Sequence, residues 1–366
     1  MFRTRNPAMV VRYDDDLRLF RSRPAKAGVV AFGLVWLLVP LNLTDYPLLV
    51  LSYAGAAAIG AIGLNLLTGY TGQVSLGHAF FTGAGAYACA YLGAERGLPI
   101  GVWLPAAAAI GCLMGAAIAP FALRLRGNYL VIITLGLVLL GEHLFKNWDS
   151  VTGGGNGTST TGALGVLDTN EFSLFGSAYT REQGFFWLIW AVVAVGALLA
   201  KNIVRSRPGR AMQAVRDRDL AAEVIGVSQA RYKIGAFVVS SGYAAVGGAL
   251  YAVLQGRLDP TQFGLVLGIQ FVAIVIVGGL GTIFGSILGA IVLGSLPRVI
   301  EALTRDNDLP FVSGDRGGPE GYLTVASLNK SLYGVIIIAF LIAEPRGLAG
   351  LWLRIRTWFK TWPFSY

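Results

Sequence analysis

Apolar runs of roughly 15 to 22 residues recur along almost the whole chain, separated by short polar stretches. An α-helix of this length matches the hydrocarbon thickness of a bilayer, because a helix rises about 1.5 Å per residue. The pattern therefore predicts an all-α polytopic membrane protein of about ten transmembrane helices, with eight to ten compatible. The predicted spans are 28–43, 48–67, 78–92, 102–123, 129–144, 185–200, 234–254, 265–280, 283–300 and 325–343.

The composition supports a single membrane domain. Of the 366 residues, 55% are hydrophobic and 13% are charged, and no stretch outside the apolar runs is long enough to bury a core. We expect one transmembrane domain at 28–343, between a basic tail at 1–27 and a tail at 344–366, both cytoplasmic. Because no small-residue cleavage pattern follows the basic start, that tail reads as a retained cytoplasmic segment rather than a signal peptide.

The distribution of basic residues orients the predicted spans. With both termini in the cytoplasm, 21 of the 29 Lys and Arg residues fall on the inner side, as the positive-inside rule requires. This orientation places the loop 148–184 outside and the segment 205–233 inside. The last span is the weakest, because Asn329 and Lys330 interrupt it and Lys330 would have to snorkel outward or face protein.

Small residues inside the spans indicate close helix packing. Gly281, Gly285 and Gly289 are spaced by four, as are Gly111 and Gly115, so each set would share one helix face. Cys89 and Cys112 also fall inside predicted spans, where we interpret them as small hydrophobic residues rather than disulfide partners or metal ligands.

Two glycine-rich segments separate apolar runs on the same predicted side of the membrane. The segment 68–78 is either a cytoplasmic hairpin turn or a broken helix that borders a substrate path, because irregular backbone at membrane depth must be buried in protein or line a wet cavity. The segment 278–282 has similar composition. Since both face one side, they do not fit a simple inverted repeat.

The span interiors carry almost no ionisable groups, and this narrows the mechanism. Glu142 and His143 lie at the outer end of a span, and His78 stands alone, as structural histidines usually do. The chain contains no Gly-Lys dipeptide and so no Walker A loop. We therefore expect no catalytic residue, metal site or cofactor in this chain and an energy source on another subunit. A membrane-embedded enzyme has little support.

The segment 205–233 is a polar, Arg-rich island between two long apolar runs. Pro208 suits the first turn of a helix, Met212 and Val215 would share one face, and Asp219 is a predicted N-cap for a second helix that Gly226 ends. The island is either a solvated connector or a docking helix for a soluble ATPase, and the small residues favour docking. The predicted docking residues are Arg210, Ala211, Ala214, Val215, Arg216, Asp217, Asp219, Ala221, Ala222, Glu223 and Gly226.

Several motifs, in order along the chain, resemble the LivM-type permeases of branched-chain amino acid ABC importers. They are TGYTGQVSLGH at 68–78 followed by AFF, RGNYL at 126–130 with ITL at 133–135, TGGGNG at 152–157, GRA at 209–211, AE at 222–223 with Gly226, EPRGL at 344–348 and GLW at 350–352. The resemblance runs from about residue 48 onward. The AAE order at 221–223 is only loosely like the Glu-Ala-Ala form of many importer permeases.

The resemblance implies a multi-pass subunit of the bacterial inner membrane, surrounded by membrane lipid. It implies pairing with a homologous second permease, two cytoplasmic ATP-binding subunits and an external solute-binding protein, with ATP bound only on the partner subunits. The segment 210–226 matches the family's coupling segment. No nucleic-acid partner is expected.

The expected function is translocation of branched-chain or related amino acids, and other amino acids, amides, urea or small aromatic acids stay open as solutes. The alternative is a stand-alone secondary carrier or channel for a small polar solute. The outer loops 148–184 and 303–323 either receive the binding protein or only connect helices. The hypothetical path residues are Asn65, Gln73, Ser75, His78, Thr82 and Thr134.

Overall fold

Helices make up nearly all of the structure, a computed structural model that describes residues 23–123, 129–165, 173–174, 177–306, 312–313, 323–344 and 347–361. The helices are α1 (Arg23–Asn42), α2 (Asp45–Thr71), α3 (His78–Ala88), α4 (Ile100–Leu123), α5 (Tyr129–Asn147), α6 (Asp149–Thr152), α7 (Arg181–Arg205), α8 (Arg207–Asp217), α9 (Asp219–Val224), α10 (Gln229–Gln255), α11 (Leu265–Gly278), α12 (Ile283–Gly289), α13 (Ser295–Asp306), α14 (Val325–Ala343) and α15 (Gly347–Thr361).

Two π-helical segments extend this framework. Cys89–Glu95 continues α3, and Ala290–Gly294 joins α12 to α13. Short 3₁₀ turns occupy Gly154–Asn156 and Pro260–Phe263. The strands are only two residues long: β1 (Thr158–Ser159) pairs antiparallel with β4 (Arg257–Leu258), β2 (Ser173–Leu174) antiparallel with β3 (Ser177–Ala178), and β5 (Val312–Ser313) parallel with β6 (Leu323–Thr324).

Six helices in the described part of the chain are long and apolar enough to cross a membrane, and three shorter apolar helices accompany them. The six are Asp45–Thr71, Ile100–Phe121, Leu130–Asn147, Arg181–Arg205, Gln229–Gln255 and Ile283–Ala302. The predicted all-α polytopic fold is therefore confirmed. The exact number of spans and the side on which each terminus lies stay predictions.

Some predicted features fall outside the described residues. These are the tail up to residue 22, Arg124 and Arg126, the middle of both long outer loops, and the last five residues. The predicted C-terminal tail contains a helix that the pattern of apolar runs did not predict. That helix, α15, packs on α11 and α12, and its Arg354 Nη1 lies 2.9 Å from Oε2 of the buried Glu344.

Helix α10 is the centre of the bundle, because it packs along α2, α3 and α4 at once. Glycines make these contacts possible. A Cβ atom on Gly248 would lie 1.9 Å from the Thr82 carbonyl oxygen, and one on Gly85 would lie 1.9 Å from the Ala245 carbonyl oxygen. Since lipid tails provide no hydrophobic drive between helices, such close backbone approach is a main source of packing energy.

The predicted packing role of the spaced glycines is confirmed for four of the five. Gly111 and Gly115 lie against Ser241 of α10, and Gly285 and Gly289 lie against the end of α11. The fifth, Gly281, does not share their helix face, which corrects the prediction. It lies in the turn before α12 with φ of 76°, a left-handed conformation that favours glycine.

The cysteines behave as predicted. Neither Cys89 nor Cys112 forms a disulfide, Cys89 is fully buried in the core, and the Cys112 sulfur packs against Gly242 of α10. Both therefore act as small apolar residues in helix contacts.

Replacement of Gly248 by Ala tests the close packing of α10, with Gly235→Ala in the same helix as the matched control. No atom lies within 4 Å of a Cβ built on Gly235, so that variant should be neutral or stabilising by up to about 1 kcal/mol through helix propensity. Gly248→Ala should destabilise by about 1–3 kcal/mol through overpacking. Thermal unfolding and size-exclusion profiles in mild detergent measure both, and equal behaviour would contradict the packing argument.

Candidate substrate path and coupling surface

The segment between α2 and α3 is a broken helix, not a short hairpin turn. Helix α2 ends at Thr71, and Gly72 caps it with φ of 71°. Residues 72–77 are not helical, and His78 then begins α3 with its ring against Phe271, whose ring in turn lies against Gly60. Gly60 precedes Thr71 by 11 residues in the sequence, which corresponds to about 16 Å along a helix. The segment therefore runs back deep into the bundle.

Protein groups satisfy much of the backbone in this broken segment. The Leu76 N–H donates to Thr134 Oγ1 on α5 at 3.1 Å, and the Gly77 N–H donates to Ser75 Oγ at 3.2 Å. Gln73, Ser75 and His78 are all buried. This arrangement fits the requirement that irregular backbone at membrane depth be enclosed by protein.

Two polar atoms of this segment are buried without a hydrogen-bond partner among the described residues. They are Gln73 Oε1 and His78 Nε2. An unpaired buried polar atom lowers the stability of a protein by about 1–3 kcal/mol. Such atoms are expected where the group hydrogen-bonds to water or to a solute. By contrast, the Thr82 hydroxyl donates to the His78 carbonyl and the Thr134 hydroxyl to the Val131 carbonyl. The structure thus brings five of the predicted path residues together around the break.

Asn65, the sixth predicted path residue, connects two glycine-rich turns. Its Nδ2 donates to the Thr282 carbonyl at 2.8 Å and to Ser286 Oγ at 2.6 Å, and its Oδ1 accepts from the Gly281 N–H at 2.8 Å. The side chain is 1% exposed and its amide is occupied by the protein. The two turns therefore meet at the same end of the bundle, as predicted, and Asn65 holds them together.

The predicted docking segment forms two short helices at this same end. In α8, Met212 and Val215 are buried on one face, as their spacing predicted. In the loop after α9, Gly226 adopts φ of 86°, and it ends the second helix as predicted. The N-cap prediction was wrong by one position, because Asp219 is the first helical residue and Arg218 precedes it without a side-chain cap.

Arg216 connects the docking segment to the broken helix. Its Nη1 donates to the Gly69 carbonyl at 2.6 Å, and its Nε lies 2.9 Å from Asp217 Oδ1. The methylene part of the side chain packs beside Gly72, and the guanidinium also lies next to Gly281. One side chain of α8 thus touches both glycine-rich turns.

An apolar patch of Leu220, Val224 and Ile225 is exposed on and just after α9, at 72%, 87% and 75% respectively. The small residues predicted for the docking surface include Ala211, Ala214, Ala221 and Ala222, of which Ala221 is exposed as expected. Exposure was expected of all four. That was wrong for Ala222, which is buried, while Ala211 and Ala214 are half-buried. The spacing of four between Leu220 and Val224 in a polar island was the signal that could have revealed the patch.

A cavity of about 460 Å³ opens at the opposite end of the bundle, and we call it the outer cavity because the charge pattern predicts this end to be external. Residues of α2, α3, α10, α11, α13 and α14 line it, together with the turn Pro260–Phe263. Thr82 is the one predicted path residue that lines it. Phe271 forms part of its wall, and the Phe271 ring meets the His78 ring edge to face at a centroid distance of 4.9 Å. The cavity and the broken segment therefore lie on opposite sides of Phe271.

The described parts of the two long outer loops lie beside this cavity end. Strand β1 of the first loop pairs with β4 just after α10, and Arg257 Nη2 donates to the Asn156 carbonyl at 2.8 Å. The charged residues predicted in the second loop, from Arg305 to Glu320, have no described side chains. The assignment of these loops to a binding protein stays a prediction.

Comparison with known proteins identifies the family. Residues 46–342 match the family model described as the permease component of branched-chain amino acid transport systems. The chain belongs to this family. The predicted LivM-type resemblance is thereby confirmed, and the permease is a multi-pass protein of the bacterial inner membrane.

Curated relatives agree with this family. The permease is 35% identical to the high-affinity branched-chain amino acid transport system permease protein LivM of Escherichia coli K12 and 33% identical to LivM of Salmonella typhimurium, over 63% of this chain and 58% of each relative. It therefore spans somewhat over half the length of these relatives. It is also 25% identical to LivH of Escherichia coli K12 over 80% of this chain and 91% of that relative. No solved structure matches the permease.

Replacement of Asn65 by Ala tests whether this side chain holds the two turns together. The change leaves the Gly281 N–H without its acceptor inside the bundle, so we expect a loss of about 1–3 kcal/mol in stability. Asn42→Ala is the matched control, because the Asn42 amide is exposed and bonds only the carbonyl one turn earlier among the described contacts. Thermal unfolding in detergent compares the two, and equal midpoints would contradict the structural role of Asn65.

Proposed function

We propose that the permease is a transmembrane subunit of an ABC importer that translocates branched-chain or related amino acids. In this proposal an external solute-binding protein delivers the solute, and two cytoplasmic ATP-binding subunits supply the energy. A homologous second permease completes the membrane part. The names of the LivM and LivH relatives support a transport system with more than one permease protein.

The bond from Arg216 to the Gly69 carbonyl is the observation that carries the proposal. A permease driven by another subunit needs a surface for that subunit and a mechanical connection from the surface to the solute path. The apolar patch of α9 supplies the surface, because water-exposed apolar patches commonly mark protein interfaces. Arg216 supplies the connection, since it lies on α8 beside the patch and bonds the end of α2 where the broken segment begins.

The proposed solute path starts in the outer cavity and passes Phe271 to reach His78, Ser75 and Gln73. The unpaired atoms of His78 and Gln73 support this route, because they offer hydrogen bonds to a passing polar solute. Thr82 and Thr134 flank the route, and we leave Asn65 out because its amide is occupied. The inner half of the proposed path carries no charged side chain. A zwitterionic solute is therefore not held there by an ion pair and can be released.

A stand-alone carrier or channel is the competing function. Carriers driven by protons usually hold Asp, Glu or His within the bilayer, and the described break contains only His78 of these types. The contrast is testable with purified protein, because a carrier moves solute in liposomes without other subunits. Solute flux through the permease alone would favour the carrier, and an inert permease that binds a soluble ATPase would favour the importer.

Replacement of Leu220, Val224 and Ile225 together by Ser should abolish capture of the ATP-binding subunits. Burial of each such side chain at an interface contributes about 1.5–3 kcal/mol, so we expect at least a tenfold loss of copurified ATPase from mild-detergent extracts. Arg231→Ser is the control, because Arg231 is exposed on α10 outside the patch. Undiminished capture by the triple variant, with the control also unchanged, would contradict docking at this patch.

Replacement of Arg216 by Ala should separate docking from transport. The variant keeps the apolar patch but loses the bond to Gly69, so ATPase capture should remain while amino acid uptake by the full complex falls at least tenfold. Arg218→Ala is the control, because Arg218 is exposed and its side chain bonds neither turn among the described contacts. Normal uptake by the Arg216 variant would show that this bond does not transmit motion, and loss of capture would place Arg216 in the docking surface instead.

A further inference from the structure

The outer cavity has one strongly polar wall. Arg298 and Glu301 of α13 lie three residues apart, and Arg298 Nη1 donates to Glu301 Oε2 at 2.9 Å. Both side chains line the cavity, and the Arg298 side chain is 27% exposed. A cationic and an anionic group thus lie side by side at the edge of the cavity.

Contacts from two other directions hold the Arg298 guanidinium in place. Its carbon lies 4.3 Å from the centroid of the Tyr53 ring, and Nη2 donates to Gln255 Oε1 at 2.8 Å. The backbone of the same residue is fixed by the Tyr46 hydroxyl, which donates to the Arg298 carbonyl at 2.5 Å. The Tyr53 hydroxyl donates to the same Gln255 oxygen at 2.8 Å. Stacking on an aromatic ring and fixed bonds pre-organise a guanidinium for a carboxylate.

The other features of the cavity point to a ligand with an amine and an apolar group. Gln262 Oε1 lines the cavity region and is buried without a hydrogen-bond partner in the described structure. The opposite wall is apolar and includes Leu267, Phe271 and Ile274 of α11. An exposed ion pair three residues apart on a helix contributes only about 0–1 kcal/mol. The ion pair between Arg298 and Glu301 therefore contributes little to the stability of the fold. A role in ligand binding better explains why it lies beside the unpaired Gln262 oxygen.

We propose that the outer cavity binds the solute as a zwitterionic amino acid before it enters the inner path. Arg298 receives the α-carboxylate, Glu301 and Gln262 receive the α-ammonium, and the apolar wall receives an aliphatic side chain. The volume of about 460 Å³ lies within the usual range of small-molecule pockets, about 300–1,000 Å³. This inference rests on the proposed function and adds the residues that recognise the solute.

A ligand in the cavity would also contact the broken helix indirectly, through Phe271. The aliphatic side chain of the ligand would lie on Phe271, and the Phe271 ring lies against His78 and Gly60. The bound amino acid therefore contacts the residue that separates the cavity from the break.

Protection of an introduced thiol tests binding directly. In the purified complex without binding protein, Gln270→Cys places a thiol in the cavity wall, and its labelling by a small methanethiosulfonate reagent is measured with and without millimolar leucine. We expect leucine to slow labelling at least threefold, and leucinamide, which lacks the carboxylate, to give no protection. The parent chain without this change corrects for labelling of Cys89 and Cys112. Equal labelling with and without leucine would overturn the inference.

Transport by charge variants provides the second test. Arg298→Gln and Glu301→Gln should each lower leucine uptake by the full complex at least tenfold and abolish leucine protection, with ATPase capture unchanged. Arg96→Gln removes an equal charge at the same end, and Arg96 is exposed and outside the cavity lining, so uptake should remain normal. Wild-type uptake by both cavity variants would refute the cavity assignment and leave the importer intact. Failure of the unmodified permease to capture an ATPase would instead refute the proposed function.

Discussion

The structure depends on how the protein satisfies the backbone of residues 72–77, which leave the helical conformation inside the bundle. A bilayer offers no water to free peptide groups, so each one must find a partner within the protein. The partners come from neighbouring elements: Thr134 on α5 accepts from the Leu76 N–H, and the Thr68 hydroxyl of α2 donates to the Gln73 carbonyl. Arg216 on α8 donates to the Gly69 carbonyl in the last turn of α2, just before the break. Helices α2 and α5 therefore hold the break, and α8 holds the helix end that precedes it.

The second glycine-rich turn, at 278–282, is held in place by contacts with the end of α2, where the first begins. Asn65 bonds Gly281 and Thr282 from the last turns of α2, and Gly347 at the start of α15 packs against Gly279 of the same turn. The ends of α2, α8, α11 and α15 therefore meet at one place. Close approach of so many backbones explains why glycine occurs at the contact points, since a Cβ on Gly69 would lie 2.4 Å from the Gly281 backbone nitrogen.

The sequence predicted what depends on local hydrophobicity and missed what depends on contacts between distant residues. The length of apolar runs is a local property, so the helical membrane fold followed from it, and the spacing of Gly111 and Gly115 gave their packing role. No local pattern shows that 72–77 returns about 16 Å into the bundle or that Ala222 is buried. The cavity could not be predicted from the sequence either, because Tyr53 and Arg298 are far apart along the chain and meet only in the folded protein.

Helix α11 links the two ends of the molecule. Its 14 residues span about 21 Å, less than the roughly 30 Å hydrocarbon core. Its first turns line the outer cavity, and its last residue adjoins the turn that Asn65 holds. Gly279 ends it with φ of 119°, so the chain can change direction there. Phe271, which separates the cavity from the break, therefore lies on the same helix whose end adjoins the turns that Asn65 and Arg216 contact.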